Sequence, residues 1–122
     1  MSDTQPDIQR LHVAARYSEA AVFNGVAYLA GMVPECEATD IRSQTADVLQ
    51  QIDVRLAECN SDKSRILRTQ ICLRDIADIA AMNEVWDAWV AAGHAPPRAT
   101  VQAALADPSW CIEVVVTAAV RG

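Results

Sequence analysis

The first part of the chain alternates apolar and polar side chains, which is the period of a half-buried β-strand. Residues 11–16 follow this pattern, and residues 18–22 continue it after a short break. An Asn-Gly pair then predicts a tight hairpin, with residues 26–32 as the returning strand. Gly31 inside that strand indicates a bulge or the close approach of another group.

Two later segments repeat apolar residues at the spacing of a helix. Residues 41–59 form the first, which Thr39 or Asp40 can cap, and residues 75–92 form the second, which Gly93 ends. The apolar stripes are Ala46, Leu49, Ile52, Leu56 and Cys59 in the first helix, and Ile79, Met82, Val85, Trp86, Trp89 and Val90 in the second. The three-residue spacing of the tryptophans favours core or interface packing over a ligand-binding box.

Three further segments have the composition of strands. Residues 66–73 alternate between the two helices, residues 98–105 follow a pair of prolines, and residues 110–119 are almost entirely apolar. Residues 106–109 predict the turn that joins the last two strands. The face of the middle strand that we expect to be buried consists of Leu67, Thr69, Ile71 and Leu73. The last strand is predicted to be covered on both faces.

The resulting element order, β-β-α-β-α-β-β, predicts an α+β fold in a single domain over residues 1–122. Two helices are expected to pack on one face of a sheet of five or six strands. The apolar positions that two helices are not expected to cover completely are Leu29, Ile71, Val114 and Val116. We therefore expect the protein to bury the remaining sheet surface by self-association.

Charge and composition narrow the function classes. The formal net charge of −6 disfavours general nucleic-acid affinity, which rests on phosphate neutralisation by Lys and Arg. Residues 1–7 are polar and acidic, so we expect a loose terminus and no signal peptide. No apolar run approaches the roughly 20 residues that span a bilayer. These features predict a cytoplasmic protein without a membrane partner.

The cysteines do not form a metal-binding pattern. Cys36, Cys59, Cys72 and Cys111 include no C-x-x-C pair, and the chain has only two histidines besides. We therefore expect free thiols and no zinc site. Motifs of nucleotide-binding loops, zinc proteases and serine hydrolases are also absent from the sequence.

One arginine and one glutamate stand out in the C-terminal strands. Pro96 and Pro97 make a stiff approach to Arg98, which suits two-pronged capture of a carboxylate. Glu113 is the only charge in its apolar strand, where a carboxylate is costly unless it is paired or functional. Each residue has a structural alternative, a salt bridge. Whether the two converge depends on strand pairing, which the sequence leaves open.

Several segments together resemble the Rid family, also called YjgF or L-PSP. The most specific are Pro-Arg-Ala-Thr-Val at residues 97–101 and Ile-Glu-Val at residues 112–114. Asn-Glu-Val-Trp at residues 83–86 and Tyr-Ser at residues 17–18 support them. The similarity runs from about residue 16 to the end of the chain.

The resemblance implies a chorismate-mutase-like fold with a mixed sheet of about six strands, assembled as a homotrimer. Ligand clefts would lie between neighbouring subunits. Members of the family hydrolyse reactive 2-enamine and 2-imine acids, of the 2-aminoacrylate type, to 2-keto acids and ammonia. The ligand is then a small carboxylate-bearing metabolite, and no metal or organic cofactor is required.

The resemblance also implies roles for individual residues. Arg98 would grip the substrate carboxylate, and Glu113 would position or activate water. The remaining cleft residues would be Tyr17, Gly31, Asn83 and, through its backbone, Thr100.

Departures from the usual pattern indicate a divergent subgroup. Ala-Arg-Tyr-Ser-Glu at residues 15–19 replaces Gly-Pro-Tyr-Ser-Gln, and Thr100 stands where cysteine is common. An imine or enamine deaminase is the first hypothesis. The alternative is a non-catalytic trimer that binds a small carboxylate, which needs Arg98 but not Glu113. An endoribonuclease is a distant third because of the negative net charge.

Overall fold

Six strands form one mixed sheet, and two α-helices pack on one of its faces. The computed structural model describes residues 7–122, so the expected loose terminus falls on residues 1–6, outside the described part, apart from Asp7. The strands are β1 (Gln9–Val13), β2 (Ser18–Phe23), β3 (Val26–Leu29), β4 (Ile66–Leu73), β5 (Arg98–Gln102) and β6 (Ile112–Ala119); the helices are α1 (Ile41–Glu58) and α2 (Ile79–Trp89). The predicted α+β class, with two helices on one face of about six strands, is confirmed.

The strand order is β1-β2-β3-β6-β4-β5. All neighbouring strands are antiparallel except β4 and β5, which run parallel. The last strand, β6, therefore lies inside the sheet between β3 and β4. In contrast, β5, which begins at Arg98, is an edge strand.

The two helices cover more of the sheet than the sequence predicts. The prediction that two helices cannot cover all four apolar positions is wrong, because each of them is buried: Leu29, Ile71, Val114 and Val116. The register gives the reason: Ile71 pairs with Val114, and the next buried pair is Thr69 with Val116, so these side chains form one block on the helix face. The 18-residue length of α1 is enough to cover that block.

The other sheet face carries the uncovered apolar surface. Tyr28, Val101 and Val115 are 51%, 44% and 36% exposed. Within the described chain β6 is thus covered on one face only, contrary to the prediction that both faces are covered. We call this the open face of the sheet, and it is the surface that self-association would have to bury.

A β-bulge overturns one predicted face assignment. Ile66 pairs with Ala118 whereas Arg68 pairs with Thr117, so one extra residue lies on the β4 side of the ladder. The extra residue turns Leu67 outward, and it is 49% exposed instead of buried. The other three residues of the predicted face are buried as expected.

The first helix matches its prediction closely. Asp40 is the cap, because its carboxylate accepts the backbone N–H of Ser43, and this hydrogen bond lowers the pKa of Asp40. One residue of the predicted stripe, Ala46, is exposed, and two residues outside the stripe, Ile41 and Val48, lie in the core. No helix within residues 7–122 is long and apolar enough to cross a membrane.

The second helix is shorter than predicted. A 3₁₀ turn at Ile76–Asp78 precedes α2, and the helix ends at Trp89 rather than beside Gly93. Val90 already has extended backbone angles, and the ammonium group of Lys63 donates to the Trp89 carbonyl at 2.6 Å. The Lys63 side chain thus satisfies a terminal carbonyl of the helix. Gly93, with φ of 77°, lies in the turn that follows the helix.

Strand ends also shift from the predicted positions. β1 spans Gln9–Val13 rather than residues 11–16, and β5 ends at Gln102 rather than at residue 105. β3 ends at Leu29, and the chain then regains contact with β6 through a single bridge from Met32 to Val114. Hairpin formation at the Asn-Gly pair is confirmed, because β2 and β3 pair directly across it.

Candidate functional site

Gly31 and Glu113 are in direct contact. A Cβ atom added to Gly31 would collide with a carboxylate oxygen of Glu113 and would lie 2.9 Å from its Cδ. Only a residue without a side chain leaves room for the Glu113 carboxylate here. The predicted close approach at Gly31 is confirmed.

A shift in register creates this contact. Tyr28 pairs with Thr117, and the next bridge joins Met32 to Val114, so four steps along one strand match three along the other. The extra residue is a bulge in the segment that contains Gly31, the second possibility that the sequence predicts. The bulge brings the Gly31 backbone under the side chain of Glu113.

Cys72 is the neighbour of Glu113 on the other side. The two residues pair across β4 and β6, so both side chains lie on the open face. Burial, and then the negative charge of Glu113, raise the pKa of the Cys72 thiol. The sequence analysis missed this neighbour because only the strand register brings the two residues together.

The alkylation rate of Cys72 is expected to report the charge of Glu113. Thiolate is the reacting species, so the raised pKa should make Cys72 react more slowly than the exposed Cys36 at mildly alkaline pH. Glu113→Gln removes the neighbouring anion, lowers the pKa of Cys72 and should speed its alkylation roughly two- to tenfold. Iodoacetamide labelling followed by peptide mass spectrometry measures the rates, with Cys36 as the internal control. An unchanged Cys72 rate in the variant would contradict the electrostatic contact.

Tyr17 lies in the same region of the sheet as Gly31. It is 59% exposed and stands in the turn between β1 and β2, where its carbonyl accepts the N–H of Ala14. The carbonyl of Glu19, two residues later, accepts the N–H of Ala30. Tyr17, Gly31 and Glu113 therefore belong to one region, which we call the glutamate group.

Arg98 occupies a different environment. It pairs with Thr69 of β4, which is fully buried beneath the helices, so Arg98 points to the helix face at the sheet edge. Its guanidinium carbon lies over the Trp86 ring of α2, 5.2 Å from the ring centroid. Within residues 7–122, the ion pairs do not include Arg98. Its charge therefore remains available to a ligand.

Thr100 lies two residues after Arg98 on β5, and Asn83 lies on α2, the helix whose Trp86 contacts Arg98. Thr100 pairs with Ile71, so it also faces the helices, and its buried hydroxyl has no hydrogen-bond partner among the described residues. Asn83 is half-buried on α2, three residues before Trp86 and hence about one turn away. We call Asn83, Arg98 and Thr100 the arginine group.

The two groups do not meet within one chain. Arg98 pairs with Thr69 of β4, whereas Glu113 pairs with Cys72, which lies three residues after Thr69 on the same strand. Side chains alternate along a strand, so an odd separation places Arg98 and Glu113 on opposite faces of the sheet. One copy of the chain thus holds each of the six candidate residues but not a complete cleft.

The described residues offer no clustered metal ligands. Within residues 7–122, no group of three or more His, Cys, Asp and Glu side chains is placed to hold a metal ion. The four cysteines, all of them in this range, are free thiols.

Comparison with known proteins identifies the family. The family model described as Endoribonuclease L-PSP matches residues 7–120. The chain belongs to this family, the Rid or YjgF family. The resemblance seen in the sequence is therefore confirmed, and it covers nearly the whole chain.

Relatives and solved structures agree with membership of the Rid family. A RutC family protein of Haemophilus ducreyi is 50% identical over 114 residues, which cover 93% of this chain and 97% of that protein. The crystal structure of a YjgF family member from Neisseria meningitidis has 53% sequence identity and a TM-score of 0.93, covering 95% of this chain and 97% of that one. More distantly, the chloroplastic Reactive Intermediate Deaminase A of Arabidopsis thaliana is 30% identical over 104 residues, covering 80% of this chain and 55% of that protein.

Proposed function

We propose that this protein hydrolyses reactive 2-enamine and 2-imine acids to 2-keto acids and ammonia, at clefts between the subunits of a homotrimer. The observation that carries the proposal is the division of the candidate residues into two groups. One group contains Arg98, which forms no ion pair among residues 7–122, and the other contains the Glu113 carboxylate in contact with Gly31. Membership of the Rid family, and the name of the Arabidopsis relative, support the same chemistry.

A neighbouring subunit would complete each cleft. Arg98 and Thr100 lie on the helix face at the β5 edge, whereas Glu113 lies on the open face of β6, between β3 and β4. Association through the open face would bury Tyr28, Val101 and Val115 and could bring the arginine group of one copy to the glutamate group of the next. We propose that residues 1–122 form one such domain, acting in the cytoplasm, where free thiols persist.

The proposed chemistry needs few groups. Arg98 binds the substrate carboxylate with paired N–H donors, which orients the adjacent C2 atom. An enamine becomes an iminium ion when its terminal carbon gains a proton from solvent, and C2 is then electrophilic. Glu113 takes a proton from water as the water oxygen bonds to C2, forming a carbinolamine. The C–N bond then breaks as the nitrogen takes the proton back from Glu113 and leaves as ammonia. The hydroxyl group loses its own proton to the Glu113 carboxylate, and from there to solvent, as the C=O bond of the 2-keto acid forms.

The direct test follows keto-acid release. A pyridoxal-phosphate dehydratase generates 2-aminoacrylate or 2-iminobutyrate in the assay, and release is compared with and without this protein. Faster release supports the proposal, and light scattering on the same sample should give the mass of three chains. If an assembled protein produces no acceleration, these substrates are excluded and the deaminase proposal fails for them.

The main alternative is a non-catalytic trimer that binds a small carboxylate. No ion pair among the described residues uses the charge of Arg98, and this supports a binding function equally, since carboxylate capture does not require Glu113. The Haemophilus ducreyi relative is named only for its family. A ribonuclease would need cationic surface for RNA, and the net charge of −6 argues against it.

Gly31→Ala is expected to displace the catalytic carboxylate of the proposed mechanism. The obstacle is the end of a flexible side chain, so Glu113 can rotate away at a cost of about 1 kcal/mol in stability. Its carboxylate then leaves its place, and keto-acid release should fall roughly 10- to 100-fold. In a Glu113→Ala background the same change should have little further effect. Independent, multiplicative losses in the double variant would show that Gly31 does not act through Glu113.

A further inference from the structure

Arg98 has an aromatic ring where many buried arginines have a carboxylate. Its guanidinium lies over the Trp86 ring, and none of the described ion pairs involves it. An internal Asp or Glu would occupy the same N–H donors that a carboxylate ligand needs. The face of an indole attracts a cation but leaves those in-plane donors free.

We infer that Trp86 is a positioning residue, which holds the Arg98 guanidinium in place for a carboxylate ligand without neutralising it. This role rests on the proposed function, since it assigns Trp86 to the carboxylate-binding part of the cleft. It also gives a functional role to one of two tryptophans whose spacing in the sequence favours core or interface packing. Trp86 acts through Arg98 and is not itself a catalytic residue.

The ring is immobilised by its surroundings. Trp86 is buried, and its centroid lies 5.3 Å from that of Trp89, with the ring planes inclined by 51°. Trp89 is held in turn, because its indole N–H donates to the Asp53 carboxylate at 2.9 Å and Lys63 lies 5.2 Å from its ring centroid. The Trp86 ring that contacts Arg98 is therefore held by residues of both helices.

The position of Arg98 at a strand edge explains why its side chain needs such support. Arg98 is the first residue of an edge strand, so only one neighbouring strand restrains its backbone. Thr69, which is level with it, has a buried hydroxyl without a hydrogen-bond partner in the described part of the chain and thus does not anchor the guanidinium. Contact with Trp86 restrains the charged end of the side chain.

The experiment compares Trp86→Leu with Trp86→Phe and uses Val48→Ala as the control. Val48 is a fully buried core residue on α1, so its truncation destabilises the protein without removing the ring. Two quantities are measured on each protein. One is the ¹H–¹⁵N resonance of the Arg98 Nε–H, assigned with Arg98→Lys, which the ring current of Trp86 should displace. The other is the Kd of 2-oxobutyrate, a 2-keto acid of the product class.

Trp86→Leu should abolish the ring-current displacement and weaken 2-oxobutyrate binding roughly two- to thirtyfold, the range of a cation–π contact. Trp86→Phe keeps a smaller aromatic face, so its Arg98 resonance should move part of the way towards its position in Trp86→Leu. Its Kd should lie between those of the wild type and Trp86→Leu. If Trp86→Leu does not fold, Trp86→Phe still tests whether Trp86 positions Arg98. The control should leave both quantities unchanged.

Two results would overturn the inference. One is an Arg98 resonance that does not move in Trp86→Leu, or in Trp86→Phe. The other is a variant in which the resonance moves and the Kd does not. If wild-type protein neither binds 2-oxobutyrate nor hydrolyses imines, the proposed function fails separately, and the Arg98 resonance alone then decides whether Trp86 holds the guanidinium.

Discussion

Arg98→Ala is expected to lower keto-acid release roughly 10²- to 10³-fold, because two charge-assisted hydrogen bonds to the substrate carboxylate are lost. Without them, the substrate is neither held nor oriented toward water. Arg98→Lys should lie between wild type and alanine, since an ammonium keeps the charge but cannot present a fork of donors. Release rates and the Kd of 2-oxobutyrate should change together.

The matched control for this experiment is Arg121→Ala. Arg121 is an exposed arginine after β6 that pairs with Asp62, so its loss removes the same charge from a surface outside both groups. It should leave the release rate within about twofold of wild type, as is usual for surface substitutions. Full activity of Arg98→Ala, with the fold intact, would remove the carboxylate clamp from both the deaminase and the binding hypotheses.

Glu113→Gln is expected to lower the catalysed rate roughly 10²- to 10⁴-fold, the usual contribution of a general acid or base. Glutamine has the same shape as glutamate but cannot take a proton from water. The arginine group is unchanged, so the Kd of 2-oxobutyrate should stay within a few-fold of wild type. Glu113→Gln should therefore change the catalysed rate but not the affinity for 2-oxobutyrate, whereas Arg98→Ala should change both.

This separation decides between the two leading functions. A non-catalytic binding protein should tolerate Glu113→Gln entirely, since Arg98 alone captures the carboxylate. Glu37→Gln serves as the control, because Glu37 is an exposed glutamate in the loop before α1. If Glu113→Gln hydrolyses the imine as fast as wild type, a second group must activate water and the mechanism proposed above is wrong.

Elements whose signals are local could be predicted from the sequence. The 3.6-residue stripe and the Asp40 cap defined α1 to within one residue, because helical hydrogen bonds and capping join near neighbours. The bounds of β4 were predicted correctly from its alternation and from the turn residues on either side. Gly31 was recognised as a place of close approach because only glycine tolerates it. Arg98 and Glu113 were singled out by their own neighbours in the chain.

Properties that depend on strand pairing were decided by the tertiary structure alone. A one-residue bulge turned Leu67 outward, and register aligned Ile71 with Val114 beneath α1. Neither event leaves a signal in the segment that it affects.

The candidate site divides in the same way. Chain order supplies the residue types, but pairing puts Glu113 beside Gly31 and Cys72, and it puts Arg98 on the opposite face over Trp86. Side-chain direction in a sheet changes with every one-residue step of register, and register is set by contacts between distant segments. The sequence by itself therefore singled out the groups that we propose carry the chemistry, and the folded sheet decided which of them one copy of the chain can bring together.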